Sequence, residues 1–506
     1  MMPSTATYLR KSLALLEWID SARPHAKVIV GSTTLGRWCD LAPRWWLSGN
    51  KIRLQFGDEN RTLVYWVASM KQARWGARAR IVGGRRPFEE IDLSWETHPE
   101  GQAPDSGSLL KAARAWARAN LPGCRIISEH QASDRAHTLS GKYLRARLRL
   151  GDAEHLLLAG PEGCEDDVAH AILTQALLWL AYLRRERRLR RAPTIHLLVP
   201  SGQAAVVHHR SRFLNPDRVC VEVLEYVSGP SEQWATRHPD PPATPQEDYD
   251  FRWPLLGPFR WSPILARVMD LAPGAIQRYP RFRDFDSLRL WGLEFARVFG
   301  PERDRVCFGV GAGQTELNDD NFAELRALVD EISYYRRPDS PSPDHPFYRI
   351  QAERWLECLL LSNVEFLFPE LAIGCVYPQI PVYLGKVQGR VDILGADRQG
   401  NLIVMELKVS DDPEMPLQSL DYYGRVIAHN LAGDFEKRGY FSGIRLSRAR
   451  PKIYLVAPVF SFHDSLERVL RCLDPSLEVS KISINEDWRC GVRILRRFRR
   501  ACGEFT

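Results

Sequence analysis

The sequence predicts a multidomain α/β (α+β) protein, and three observations predict it. At 506 residues the chain is long enough for about three domains. Two separate stretches, 106–228 and 347–506, each alternate helical and strand-like patterns, in the same order. Pro-rich breakers divide the chain: prolines at 230, 239, 241, 242, 245, 254 and 258 make 229–258 a linker by composition, and Pro338–Pro346 is a second break.

Taken in order, residues 1–105 open with a helical pattern over Tyr8–Ile19 and continue in strand-like runs at Lys51–Phe56, Leu63–Ser69 and Ala79–Val82. Trp38, Trp45, Trp46 and Trp66 suit a small β-rich core of no assigned function. Residues 106–228 read helix (Leu109–Asn120), strand (Arg125–Glu129), strand (Tyr143–Leu150), strand (His155–Ala159), helix (Asp166–Leu183), strand (Thr194–Pro200), helix (Gly202–Phe213), strand (Val219–Tyr226). Residues 259–346 form a mixed accessory region. Residues 347–506 read helix (Arg349–Phe366), strand (Val376–Tyr383), strand (Val391–Gly395), strand (Leu402–Val409), helix (Pro416–Leu431), strand (Lys452–Ala457), helix (His463–Cys472), strand (Leu477–Ile484).

Composition removes several classes. With 44% hydrophobic and 26% charged residues, wholesale disorder is excluded. A net charge of +7 permits an anionic partner without requiring one. The ten cysteines show no zinc spacing and several lie in apolar runs, which suits reduced thiols in a cytoplasmic protein. No signal peptide is read at the N-terminus, and the most apolar stretch, Ala169–Leu183, is too short for a membrane span and contains Gln175.

The basic residues are 58 Arg and 11 Lys, with no Lys between Tyr143 and Gly385. A Lys at a chemically suggestive position therefore stands out. One lies in Leu402-Ile-Val-Met-Glu-Leu-Lys-Val409, which faces Gly389-Arg-Val-Asp-Ile-Leu-Gly395 across the turn Asp397–Asn401. A hairpin centred on Gln399 puts Asp392 opposite Glu406, with Cβ atoms about 4.5–5.5 Å apart. Lys408, two residues on, shares the face of Glu406. Two acids and a lysine on an otherwise apolar strand pair are costly as a plain ion pair. A metal site explains them better: hard oxygen ligands suit Mg²⁺ or Mn²⁺, with the Leu407 carbonyl as a further donor. The next helix carries Gln418 and Tyr422 on one face, with Asp411 and Asp412 as candidate caps and Pro416 near its start. Upstream, Glu353 and Glu357 share one face of a helix with an apolar run. Lys386 and Arg390 flank the acids and could hold a nucleic-acid backbone.

Asp392, Glu406-x-Lys408 and Gln418-x-x-x-Tyr422, preceded by a helical Glu, resemble the PD-(D/E)XK nuclease superfamily over about residues 347–487. The Q-x-x-x-Y element is similar to the RecB-like branch, and the spacing to the nuclease domain of NucS-type endonucleases. The metal Asp stands in Val-Asp-Ile-Leu where that branch commonly has Pro-Asp. The resemblance implies a restriction-endonuclease-like αβββαβ core and metal-dependent phosphodiester hydrolysis. It implies that Asp392 and Glu406 bind the metal and that Lys408 orients or deprotonates the attacking water. Glu357 would complete the metal shell, Glu353 being the alternative; Gln418 would orient the lysine or substrate, and Tyr422 would contact the phosphate or pack beneath the site.

The 106–228 stretch echoes this order. Gln175 falls on Gln418 and Trp179 on Tyr422, but no E-x-K and no strand Asp are present, so the stretch reads either as a degenerate, inactive nuclease-like domain used for DNA binding or dimer contacts, or as an ordinary α/β domain with a chance Gln. Two Arg clusters, Arg184–Arg191 and Val492–Arg500, read as helix-end cations or nucleic-acid contacts, the second as an amphipathic basic segment or a packed terminal helix. Gly309–Gly313 lacks the Lys-Ser/Thr of a phosphate loop and reads as a turn, and His208 and His209 would point apart. The resulting expectation is a cytoplasmic, Mg²⁺- or Mn²⁺-dependent DNA endonuclease of repair, restriction or defence, with no membrane partner and self-association left open. A nucleic-acid-binding protein without turnover and an RNA nuclease with the same site are the alternatives.

Overall fold

The computed structural model describes residues 15–16, 19, 27–30, 33–38, 41, 43–48, 51–56, 63–73, 76–82, 89–94, 106–161, 167–186, 188–189, 193–201, 203–227, 235–237, 262–280, 285–300, 304–311, 314–384, 387–501 and 504–505. The chain divides into two compact units that interleave in sequence. One comprises Met1–Gly101, Arg252–Ser362 and Arg489–Val492; the other comprises Gln102–Phe251, Asn363–Trp488 and Arg493–Thr506. The fold is mixed α and β with several sheets.

The first unit holds two antiparallel sheets. Seven strands between Lys27 and Ser94 form the first, with Trp38, Ile52, Leu54 and Phe56 buried. Five strands between Ile276 and Glu316 form a meander, on which the helix Phe322–Tyr335 lays Leu325 and Ile332 against Leu288 and Phe295. The helix expected over Arg349–Phe366 is instead three pieces, Pro346–Arg349, Ala352–Ser362 and Val364–Leu367, and the first break falls at Gln351, whose φ is +50°. Fully buried Arg336 explains part of this. Its guanidinium donates to the carbonyls of Phe347, Ile350 and Gln351, which an unbroken helix would use itself.

The second unit is built on two sheets of matching design. The first contains β1 (Arg125–His130), β2 (Leu144–Leu150), β3 (Ala153–Ala159), β4 (Thr194–Pro200), β5 (Cys220–Val227) and β6 (Ala235–Arg237), in that spatial order. β1, β2 and β3 are antiparallel, β3–β4 and β4–β5 are parallel, and β6 is antiparallel to β5. Helix α1 (Ser106–Asn120) precedes the sheet, and α2 (Asp167–Arg185) and α3 (Ala204–Ser211) make the two crossovers. The stretch taken as a linker therefore contributes an edge strand at Ala235–Arg237, the rest of 229–258 lying outside the described residues.

The second sheet contains β7 (Leu371–Leu384), β8 (Val387–Asp397), β9 (Leu402–Leu407), β10 (Lys452–Pro458), β11 (Val479–Ile484), β12 (Ile494–Ala501) and β13 (Glu504–Phe505). The pairing repeats: β7, β8 and β9 antiparallel, β9–β10 and β10–β11 parallel, β12 antiparallel. Helices α4 (Met415–Ala432) and α5 (Leu466–Leu470) make the crossovers. The basic run ending at Arg500 is thus a strand and not a helix; Arg496 faces Ser483 and Arg497 faces Ile482, because β11 offers its free edge to the backbone. Arg497 then reaches Glu370 and the Leu367 carbonyl, both at 2.5 Å.

Local rules place the strands around the hairpin. Ile393 pairs with Met405, the register that a turn centred on Gln399 requires. Asp397 ties the turn by accepting from the amides of Gln399 and Asn401, each at 2.9 Å, and Gly400 adopts φ +83°. A Cβ at Gly400 would press into the Arg445 carbonyl oxygen. Gly400→Ala is therefore expected to lower stability by more than about 1 kcal/mol, read from the denaturant midpoint. α4 starts with Pro416 in its first turn and ends at Gly433, whose φ is +70°. The expected acidic caps are not used: the residue before the helix is Glu414, and Asp412 accepts from the Glu414 amide at 2.8 Å.

One apolar core runs through both sheets of this unit, joining Leu177, Leu180 and Val207 to Leu420, Tyr423, Leu466 and Leu470. Within it Arg210 of α3, fully buried, grips Asp421 of α4 with two hydrogen bonds of 2.9 and 2.7 Å and lies 3.3 Å from Glu414. Burial lifts the Glu414 carboxyl from its ordinary 4.5 to about 7, against the pull of Arg210. Between those values the folded chain keeps a proton that the unfolded chain has released. This stability is therefore full below about pH 4.5 and lost as pH rises through about 7. Glu414→Gln should flatten that part of the stability–pH curve, measured by urea unfolding from about pH 4.5 to about pH 8.

Candidate active site

The site is built on the β8–β9 hairpin and the start of α4. β9 is apolar and fully buried from Leu402 to Met405, as a central strand covered on both faces must be. Its end departs from that pattern. Glu406 is 3% exposed and Lys408 is 6% exposed. One step past the Ile393–Met405 pair, the same register puts Asp392 opposite Glu406. Asp392 Oδ2 accepts from the Leu407 amide at 2.9 Å, which pins this carboxylate to the end of β9. The Lys408 amide donates to the Val456 carbonyl at 3.0 Å and so continues the parallel ladder for one residue.

The lysine ammonium lies 3.7 Å from Glu406 Oε1 and 3.2 Å from Asp412 Oδ2. Asp392, Glu406 and Asp412 together carry three negative charges to the one positive charge of Lys408. Carboxylates brought this close repel one another, and a cation between them relieves that repulsion. The donors available for it are hard oxygens: the Asp392 and Glu406 carboxylates and the Leu407 carbonyl. That donor chemistry fits Mg²⁺ or Mn²⁺, ions that keep several waters and need only one or two carboxylates from the protein. Among the described residues no three His, Cys, Asp or Glu side chains gather into a ready-made metal cage.

Tyr422 projects into the same field. Burial, with the Glu406 and Asp392 carboxylates beside it, pushes its phenol well above the usual range, so the group is a neutral hydroxyl at physiological pH. Gln418 is one turn earlier on α4 and half-buried. Arg390 shares a face of β8 with Asp392 and is half-buried; Lys386 lies outside the described residues. Glu357 belongs to the other unit. There it is 1% exposed and its carboxylate is held by Arg354 at 3.0 Å and Arg289 at 3.6 Å; Glu353, four residues before it, is also buried.

Two polar partners escaped the sequence reading. Gln379, in β7, donates from Nε2 to Asp392 Oδ1 at 3.3 Å, with φ +57° at its own backbone. The signal was a lone Gln between Pro378 and Ile380 in an apolar strand. Asp412, read as a helix cap, instead pairs with Lys408.

No helix among the described residues is long and apolar enough to cross a membrane. No family model and no curated protein matches the chain. Two solved structures are similar to part of it. One is a repair endonuclease from Pyrococcus abyssi, at 13% identity over 44% of this chain and 96% of that one, with a TM-score of 0.16. The other is a structure of an EndoMS–dsDNA complex, at 12% identity over 42% and 92%, also with a TM-score of 0.16. At that score the likeness decides neither the fold nor the reaction, and the functional reading rests on the site itself.

Proposed function

We propose that the chain is a divalent-metal-dependent endonuclease acting on DNA. The observation that carries this reading is the meeting of Asp392, Glu406 and Lys408 at the ends of two apolar strands, with the neutral Tyr422 hydroxyl in the field of both carboxylates. Asp392 and Glu406 would hold Mg²⁺ or Mn²⁺, with the Leu407 carbonyl as a further oxygen. When bound, the metal supplies Lewis-acid stabilisation of charge on the phosphate and a more acidic water. Lys408 holds an ammonium between Glu406 and Asp412, placed to orient the attacking water and to take its proton when deprotonated. Gln418 and Tyr422 offer uncharged hydrogen-bonding groups on one face of α4 toward substrate. Arg390, with Lys386, supplies positive charge for the backbone.

A second reading, nucleic-acid binding without turnover, is favoured by one observation: Glu357, the acid that the family pattern adds, is engaged by two arginines. The test is cleavage of labelled single-stranded, double-stranded, mismatched and branched DNA, and of RNA, with Mg²⁺ or Mn²⁺, by wild type, Asp392→Ala, Lys408→Ala and Glu357→Gln. Metal-dependent cutting of DNA that Asp392→Ala and Lys408→Ala abolish supports the proposal. Tight binding with no cutting supports the second reading, and cutting that survives both alanine substitutions removes the assigned site.

A further inference from the structure

The two sheets of the second unit are related by more than strand order. The last rung of β3–β4 pairs Ala159 with Leu198, and the next amide, Gly160, donates to the Leu198 carbonyl at 3.0 Å. The last rung of β9–β10 pairs Leu407 with Val456, and the next amide, Lys408, donates to the Val456 carbonyl at 3.0 Å. This rung-by-rung match places Leu158 where Glu406 stands and Gly160 where Lys408 stands. Leu158 faces Arg145 on β2, so Arg145 takes the place of Asp392. The site that holds two acids and a lysine in one half holds an arginine, a leucine and a glycine in the other. Arg145 is 4% exposed and donates to the carbonyls of Ser140 and Ala132, while Gln175 bonds the Ser140 amide and the Thr138 carbonyl. A fixed guanidinium there repels a metal cation.

The halves also meet reciprocally. α3 packs on α4 and α5 packs on α2, so each crossover helix of one half touches the non-equivalent helix of the other. Leu214 and Leu473, each three residues past the end of its helix, form an antiparallel bridge. The Asn215 amide donates to the Cys472 carbonyl and the Asp474 amide to the Phe213 carbonyl, both at 2.8 Å. The two strands of this bridge carry one motif, Leu-Asn-Pro-Asp at 214–217 and Leu-Asp-Pro-Ser at 473–476. In each, the Asx side chain accepts from the amide two residues on, at 2.9 and 2.8 Å. Contacts that recur when the two halves are exchanged define a two-fold interface. Here it lies inside one chain and is sealed by a continuous apolar core.

Resting on the nuclease reading, we infer that residues 102–251 are a built-in, silent partner of the catalytic half. They fill the face through which a second catalytic half would pair, so one chain presents one competent and one blocked centre and releases a nicked duplex. The test has two arms on the full chain. In the first, Leu214→Cys/Leu473→Cys is oxidised and run on a non-reducing gel beside wild type. A cross-link within one chain is expected; a cross-linked dimer would overturn the built-in pairing. In the second, a supercoiled plasmid carrying one mismatch and one extruded palindrome is incubated with Mg²⁺ and limiting enzyme. Open circles should form first, at a rate proportional to enzyme, with linear DNA arising only from accumulated independent nicks. Linear DNA as the first product, or a rate rising as the square of enzyme, would overturn this inference and leave the nuclease reading standing. No cleavage of this plasmid or of any DNA in the panel above would overturn both.

Discussion

Lys408→Arg is expected to cut the rate of DNA cleavage by about 10²–10⁴ while changing DNA affinity only a few fold. The positive charge is kept, so the backbone attraction and the balance against Glu406 and Asp412 persist. What is lost is a group that can give up and take a proton: a guanidinium stays protonated at any working pH, whereas a lysine amine can exchange its proton with water. Single-turnover cleavage and filter binding, run side by side, separate the two effects. An arginine variant that cleaves within about threefold of wild type would reduce Lys408 to a fixed charge. The methionine variant is less informative, because it strands the Glu406 and Asp412 carboxylates beside each other and costs folding as well.

Arg210→Met is expected to loosen the second unit by about 3–5 kcal/mol. The fully buried guanidinium is held in a bidentate grip by Asp421 and lies close to Glu414, so removing it leaves acids without their cation in an apolar interface. The double variant Arg210→Met/Asp421→Leu should recover much of the loss, because a buried ion pair replaced by apolar groups of similar volume is often neutral. Hydrogen exchange of the α3 and α4 amides reads the opening directly. Equal losses in the single and double variants would mean that packing at this position, and not the charge pair, holds the halves together. Because Asp421 adjoins Tyr422 on α4, the single variant should also weaken cleavage where the double variant largely restores it.

The element order of both α/β stretches, the hairpin register and the convergence of Asp392, Glu406 and Lys408 were legible in the sequence. They depend on short-range rules: strand alternation, turn chemistry at Asp397–Gly400, and a proline and a glycine bounding α4. Those rules act within a few residues and so leave their mark locally. The helix break at Gln351, the strand at Ile494–Ala501 and the pairing of Asp412 with Lys408 were not legible. Two are imposed by partners outside the local pattern, Arg336 competing for carbonyls and the free edge of β11; the third is a local pair, four residues apart, in a loop whose geometry no regular period fixes. The two-fold union of the halves lies between these cases. Leu-Asx-Pro at 214–216 and 473–475 is visible in the chain as a faint echo. Only the fold shows that the two copies hydrogen-bond to each other, because contacts across more than 250 residues are chosen by packing and not by local propensity.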